Sequence, residues 1–397
     1  MQTAVYYARK IWGISTRKGF LKMLSAEQKR LRKRKRYLPT PDKESLENAL
    51  KMGVSWLLRA QDASPDAGFP TLDLVNGFGS SYPETSGYIV DTLLTYKTKY
   101  PEAQLDTRID AAVDWLLAIQ YDNGGWQSGY VDEHKPAVVF NTGQVMRGLI
   151  HAYNLTPRED IAASLDRAAD WICEVQEGTG YWATHNYLGV PRVYDTYVAA
   201  PLARWAKIRN RHDWLETAER SIQWVIGKQH ANGWFPDADN TIIHNHQPIL
   251  HTIAYTIDGL LEYAEITGNR EPLEAGERAA RQLAQKAIKN PRLPGRFDMK
   301  WRGSEATILT GCAQMSIVWA RLALFQPEEP LWMNAKRTMD AFLIHTQWKE
   351  GVRWGEMQGA ITGSFPFWGK YEPFRCPNWA VKYFCDAMLN HIERIDA

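Results

Sequence analysis

The chain has 397 residues, 45% of them hydrophobic, and its 17 Trp, 18 Tyr and 12 Phe suit both packed helix pairs and a cavity lined with flat surfaces. No apolar run nears the roughly 18 residues that span a bilayer, no secretory signal is recognisable, and four cysteines without a C-x-x-C are too few for a disulfide framework. A reducing, cytoplasmic setting is expected, and the net charge of +2 conceals a strong asymmetry between the two ends of the chain.

Residues 1–42 carry twelve Lys/Arg against two acids, whereas the remaining residues carry 35 against 43. Most of the basic charge lies in Gln28–Tyr37 (QKRLRKRKRY), behind a mildly amphipathic stretch with Trp12, Ile14, Phe20 and Leu21. This arm, 1–42, is expected to be separate from the domain that follows. A solvated arm is one reading, and docking on an anionic membrane surface is the other. Nucleic acid is not an expected partner, because the rest of the chain is acidic and no basic aromatic patch follows.

From residue 43 onward one punctuation mark recurs. It reads Gln120-Tyr-Asp-Asn-Gly-Gly-Trp126, Gln176-Glu-Gly-Thr-Gly-Tyr-Trp182 and Gln229-His-Ala-Asn-Gly-Trp234, with looser copies at Gln61–Gly68 and Gln347–Trp354. Each mark follows an apolar segment of helical period, such as Val113, Trp115, Leu116 and Ile119. A loop and a second helix come next. These second helices are expected to begin near Glu84, Asn141, Asp195, His251, Glu305 and Pro377, the first five starts 54 to 57 residues apart. They are rich in Gly, Ala and Thr and poor in charge, as an inner barrel requires. Six such pairs predict an all-α fold, an (α/α)6 toroid over 43–397 with six inner and six outer helices. Gly allows the tight turn, while Gln and Trp can tie the outer helix end to the loop.

The Q-x-x-x-G-x-W repeats resemble those of the squalene–hopene cyclase and protein prenyltransferase superfamily. Segments such as HTIAYTIDGLLEYAEITG and GSFPFWGKYEPFRCPNWAVKYF are similar to bacterial "prenyltransferase/squalene oxidase repeat" proteins of exopolysaccharide clusters. The resemblance implies the toroid, which hosts terpenoid cyclases, polysaccharide lyases, glycoside hydrolases and sugar epimerases alike. Terpenoid chemistry itself finds little support. The nearest approach to a protonating D-x-D-D is Asp237-Ala238-Asp239-Asn240, no D-D-x-x-D exists, and Cys376 with His251 lacks the companions of a zinc site. No metal or cofactor is expected.

The loops and inner-helix N-termini of such a ring converge on one mouth, where free N–H groups favour oxygen-rich ligands. The candidate catalytic residues there are Glu84, Asn141, Tyr194, Asp195, His246, His251 and Glu305. Candidate substrate contacts are Tyr197, His244, Tyr255, Trp301, Arg302, Trp368, Tyr371 and Asn378. Capping is the plain alternative for Asn141 and Asp195, but three histidines within Ile243–His251 favour a site.

Aromatics stack on sugars and Asn, Asp and Glu bind hydroxyls, so a poly- or oligosaccharide is the expected substrate. The mechanism the His–Tyr–Asn grouping favours removes the proton at C5 of a uronate and eliminates or epimerises, as a lyase or epimerase of exopolysaccharide metabolism. It would use His246 or His251 as base, Tyr194 or Tyr255 as acid, and Asn141, Arg192 or Arg302 on the carboxylate. Arg192, Arg296, Lys300 and Arg302 would form the local basic pocket. The other mechanism hydrolyses a glycosidic bond with Glu84 or Asp195 paired with Glu305. A terpenoid enzyme with an apolar cavity, and a non-catalytic module binding polysaccharide or lipid-linked sugar, remain as alternatives.

Overall fold

The computed structural model describes residues 2–15, 20–32, 38–242, 246–349 and 355–396. Fourteen α-helices lie within them: α1 (Gln2–Ser15), α2 (Phe20–Arg32), α3 (Lys43–Asp62), α4 (Pro83–Lys99), α5 (Ala103–Ala118), α6 (Val139–Leu155) and α7 (Glu159–Glu174). Then come α8 (Thr196–Arg209), α9 (His212–Ile226), α10 (Leu250–Thr267), α11 (Arg270–Lys289), α12 (Leu309–Phe325), α13 (Pro330–Thr346) and α14 (Asn378–Asp396). Short strands brace the long loops: β1 (Pro70–Asp73), β2 (Gly77–Ser81), β3 (Arg296–Phe297), β4 (Gly303–Ser304), β5 (Thr307–Ile308), β6 (Ser364–Phe365) and β7 (Arg375–Cys376).

The even-numbered helices α4 to α14 pack in sequence around an axis, and α14 returns to α4, closing the inner ring. Each inner helix packs on the outer helix that follows it, while α14 takes α3 as its outer partner. First and last helices of the toroid are thereby joined. The sequences divide accordingly. On α9 only one stripe is buried (Trp214, Thr217, Ala218, Ser221, Ile222, Val225), the pattern of a surface helix. On α10 every residue from Leu250 to Ala264 is buried. Inner helices approach so closely that a Cβ on Gly87 would sit 2.5 Å from the Cα of Val145, and one on Gly259 2.4 Å from the carbonyl carbon of Thr196. This explains the glycine content of the inner barrel.

The repeated glutamines do more than tie a helix to its own loop. Nε2 of Gln61 donates to Ala67 O and to Arg108 O on α5. Gln120 likewise reaches Gly124 O and Ser164 O on α7, Gln176 reaches Thr217 O on α9, and Gln229 reaches Gly233 O and Ala275 O on α11. Gln347 closes the circuit with Ala49 O on α3 at 2.9 Å and Gly359 O at 3.0 Å. Between α11 and α13 the link is an ion pair, Arg281 to Glu329 at 2.8 Å. The indoles of Trp126 and Trp182 donate back to Leu116 O and Ile172 O of the preceding helix. Trp354, in the last copy of the mark, lies outside the described residues.

Helices α1 and α2 lie against the mouth loops. Ile14 and Met23 are buried, Lys10 is ion-paired with Asp73, and Glu27 accepts from the backbone N–H of Phe367 at 3.0 Å. Among the described residues no helix is long and apolar enough to cross a membrane. Most of the basic run, 33–37, lies outside them.

Candidate active site

The inner helices begin where long loops deliver them to one face. Five of them (α4, α6, α8, α10 and α12) start without a hydrogen bond from an N-cap side chain. Their opening N–H groups are taken by loop carbonyls instead, Val139 by His185 O, Leu250 by Gly295 O and Leu309 by Gly363 O, and α4 opens on Pro83, so what these helices turn to the mouth is their positive dipole ends. Asn141 and Asp195 therefore do not cap. There a cavity of about 510 Å³ opens, walled by aromatics (Tyr82, Tyr88, Tyr130, Phe140, Tyr187, Tyr194, Tyr255, Tyr371, Trp379) interspersed with Glu84, Asn141 and His251. Glu133, Lys135, Lys370, Glu372 and Arg375 stand among the lining residues too.

Glu84, in the first turn of α4, is buried. Burial pushes its carboxyl up to about 7, although the Tyr82 phenol bonds to it and partly offsets the rise. Burial, with the charge of Glu84 adding to it, raises the phenols of Tyr82, Tyr88, Tyr194, Tyr255 and Tyr371. Glu84 is thus the electrostatic hub of a ring of tyrosines. His251, in the first turn of α10, packs on Tyr255 with centroids 4.5 Å apart, and its Nδ1 lies 2.7 Å from Oε1 of Gln314. Burial lowers it to about 4, so it is neutral at pH 7. Asn141 donates from Nδ2 to Gln127 O at 2.7 Å. Asn240 also lines the cavity, and its buried Oδ1 has no partner among the described residues.

Six of the expected residues meet in this cavity: Glu84, Asn141, Tyr194, His251, Tyr255 and Tyr371. The others sit elsewhere. His246 is exposed on the loop before α10, and His244 lies outside the described residues. Asp195 is buried outside the cavity lining, and its Oδ2 accepts from Asn186 Nδ2 at 2.5 Å. Glu305 does not begin an inner helix. It occupies the turn between β4 and β5, and Arg296 at 3.1 Å and Lys370 at 2.8 Å engage it.

Trp301 is buried, its indole bonded to Asn232 O. Arg302 is largely exposed and pairs with Asp298. Asn378 donates to Phe69 O and Thr85 Oγ1, and Trp368 packs on Phe367. The basic pocket does not assemble: Arg296 pairs with Asp239 and Glu305, Lys300 is exposed, and Arg192 donates to Ile242 O.

Tyr197 faces the other way. It lines a second cavity of about 380 Å³ at the rear of the ring, with the Arg147 guanidinium 3.6 Å from its ring centroid. Tyr88 and Tyr255 on the mouth side pack on Tyr383 and Tyr197 on the rear side, at centroid distances of 5.4 and 4.7 Å. This tyrosine layer divides the lumen. The rear is held by ion pairs, among them Glu262 with Arg147 and Arg204, and Asp258 with Arg321.

The cavity residues not anticipated from the sequence are mainly Tyr82, Tyr88, Tyr130, Tyr187, Trp379, Lys370, Glu372 and Arg375. Their signal was only the aromatic content of the loops. Among the described residues no group of three His, Cys, Asp or Glu could hold a metal, and Cys376 is a buried free thiol on β7.

A family model described as "Beta-L-arabinofuranosidase, GH127 catalytic domain" matches residues 79–288. Among solved structures, an unsaturated glucuronyl hydrolase specific for heparin superposes with a TM-score of 0.71 at 13% identity, covering 90% of this chain and 99% of that one. Cellobiose 2-epimerase from Bacillus thermoamylovorans B4167 gives 0.68 at 10% identity, over 89% and 99%. The unsaturated glucuronyl hydrolase of Bacillus sp. GL1 gives 0.68 at 13%, over 87% and 96%. At these identities the superpositions show the fold, an α/α toroid.

The resemblance to terpenoid cyclases and prenyltransferases is overturned by the family match. The physical reason is on the ring itself: the Gln and Trp marks join neighbouring outer helices, a task of the architecture and not of a terpenoid site. The polar, titratable lining of the mouth agrees with that correction. The chain belongs to the family of the GH127 β-L-arabinofuranosidase catalytic domain and is a carbohydrate-active enzyme built on the α/α toroid.

Proposed function

We propose that the chain hydrolyses a terminal glycosidic bond of a small, largely neutral oligosaccharide, with Glu84 as proton donor. The observation that carries this reading is the buried carboxyl of Glu84, raised to about 7 at the centre of an aromatic cavity. A general acid must hold its proton at working pH and release it to the leaving oxygen, and a carboxyl near 7 does both. The aromatic walls give stacking surfaces for one or two sugar rings, and Asn141 and the unpartnered Oδ1 of Asn240 suit hydroxyls. Glu372, ion-paired with Arg375 at 3.0 Å, supplies a second carboxylate in the lining for the water or the anomeric carbon. Neutral sugars fit better than uronates, because Lys135, Lys370 and Arg375 are each paired with an acid.

The test is release of reducing sugar from neutral and uronate-ended oligosaccharides, including arabinofuranosides, by the wild type and Glu84→Gln. Turnover lost in the variant with substrate binding kept supports the assignment. Undiminished turnover in Glu84→Gln rules it out.

A second reading rests on His251. Its Nδ1–H donates to Gln314, which leaves Nε2 as a neutral base in the same cavity. That arrangement suits proton abstraction from a sugar carbon, as in epimerisation or elimination. Absorbance growing at 235 nm, or exchange of solvent deuterium into recovered sugar, would favour it over hydrolysis.

A further inference from the structure

We infer that helix α1 and the start of α2 form a docking face for an anionic lipid bilayer, set against the loops that wall the mouth. Along α1 the chain buries Lys10 and Ile14 against the ring and turns Val5, Ala8 and Trp12 outward, at i, i+3 and i+7. Trp12 is 76% exposed and, at the head of α2, Leu21 is 79% exposed, the two highest values among the described large apolar side chains. Ile11 adds to this surface at 48%. A water-facing indole and leucine gain nothing from the fold. They gain from a medium that accepts them.

Charge complementarity names that medium. Arg9, Lys22, Lys29 and Arg32 are exposed on the same two helices, and residues 1–42 carry ten more positive than negative charges on a chain whose remainder is net acidic. Helices that expose Trp and Leu with Lys/Arg beside them lie in the interface of an anionic membrane. An acidic protein would pair with the charge but would leave Trp12 and Leu21 without an acyl region to enter.

The same helices touch the loops that wall the site. Tyr7 donates to Gly369 O at 3.5 Å and packs edge-on against Phe374. Lys10 pairs with Asp73, which also receives Arg375 of the cavity lining. Docking through this face brings the mouth to the bilayer, where a saccharide carried on a lipid or at the surface is at hand.

Full-length protein is sedimented with vesicles of phosphatidylcholine alone and of phosphatidylcholine with phosphatidylglycerol, at low and high salt. The expected result is pelleting with the anionic vesicles only, diminished by salt. Trp12→Ser combined with Leu21→Ser should weaken it by roughly tenfold or more, the factor for leaving a Leu-sized side chain in water. Both positions are exposed, so the unfolding midpoint of the double variant should match the wild type, which keeps a binding loss interpretable. No pelleting on either vesicle overturns the proposal, as does equal pelleting on both or an unchanged double variant. A dimer in solution that the same two substitutions dissolve, without vesicle binding, would assign the face to a second copy instead. None of these readouts depends on turnover.

Discussion

The amide oxygen of Gln314 on α12 lies 2.7 Å from Nδ1 of His251 on α10, both side chains buried. An amide oxygen only accepts, so Nδ1 carries the proton and Nε2 the lone pair. The pair joins two neighbouring inner helices at the mouth. Burial holds His251 near 4, against 6.5 for an ordinary imidazole.

The ring should therefore stay neutral as pH falls from 8 to about 5, which a nitrogen-correlated NMR spectrum of the imidazole would record. A histidine whose folded value is depressed gives stability that is present above 6.5 and lost as pH falls through about 4. Gln314→Leu should leave Nδ1–H unpaired and cost about 1–3 kcal/mol. A protonated ring seen at pH 6 in the wild type would contradict the geometry.

Glu84 has the opposite sign. Its carboxyl is raised from 4.5 to about 7, so its contribution to stability is full below 4.5 and is lost as pH rises through 7. Glu84→Gln should be more stable than the wild type at pH 8, by on the order of 3 kcal/mol, and no different at pH 4. Turnover should fall roughly 10²–10⁴-fold, and the alkaline limb of the wild-type pH–rate profile near 7 should vanish with it. Denaturant melts at the two pH values check the first statement, and the rate profile checks the second.

Gln347→Ala tests ring closure. It removes the buried bonds from α13 to Ala49 O on α3 and to Gly359 O. Losing the two bonds should cost about 1–3 kcal/mol. Because α3 and α14 are the joined ends of the toroid, native-state hydrogen exchange should quicken first in these two helices. Uniform quickening around the ring would mean that closure is not local to this bond.

At the rear, burial alone would raise Glu262, but Arg147, Arg204 and Arg321 together pull it down to about 2. Its stabilisation is present above 4.5 and lost as pH falls through about 2. Arg147→Met leaves a buried carboxylate with a weaker partner, and about 3–5 kcal/mol of stability should go with it. The acid-unfolding midpoint should move to higher pH. A variant as stable as the wild type would show that Arg204 and Arg321 suffice.

How far the site could be read from the chain is clearest in pairs of neighbours. Glu84 and Glu305 looked equivalent, each a carboxylate at the expected head of an inner helix. The first is buried in the cavity, whereas the second sits in a turn between two short strands and is neutralised by Arg296 and Lys370. Tyr194 and Tyr197 are three residues apart, yet one lines the mouth and the other the rear cavity. The entry from a 3-10 turn into α8 separates them, and no periodicity announces that step. The family resemblance erred for a related reason: the repeated Gln and Trp report how outer helices are joined, and many chemistries share that joint.

The sequence by itself determined the ring. Apolar period, glycine at close helix crossings and the recurring Gln–Gly–Trp mark are local properties, and six repetitions of a unit that cannot bury its own face leave a closed stack as the outcome. Only the tertiary structure decided which polar groups share the cavity, that Glu84 is its hub, and that a tyrosine layer cuts the lumen in two. Those facts depend on loop paths of some twenty residues and on burial, and burial is what moves Glu84 to about 7 and His251 to about 4.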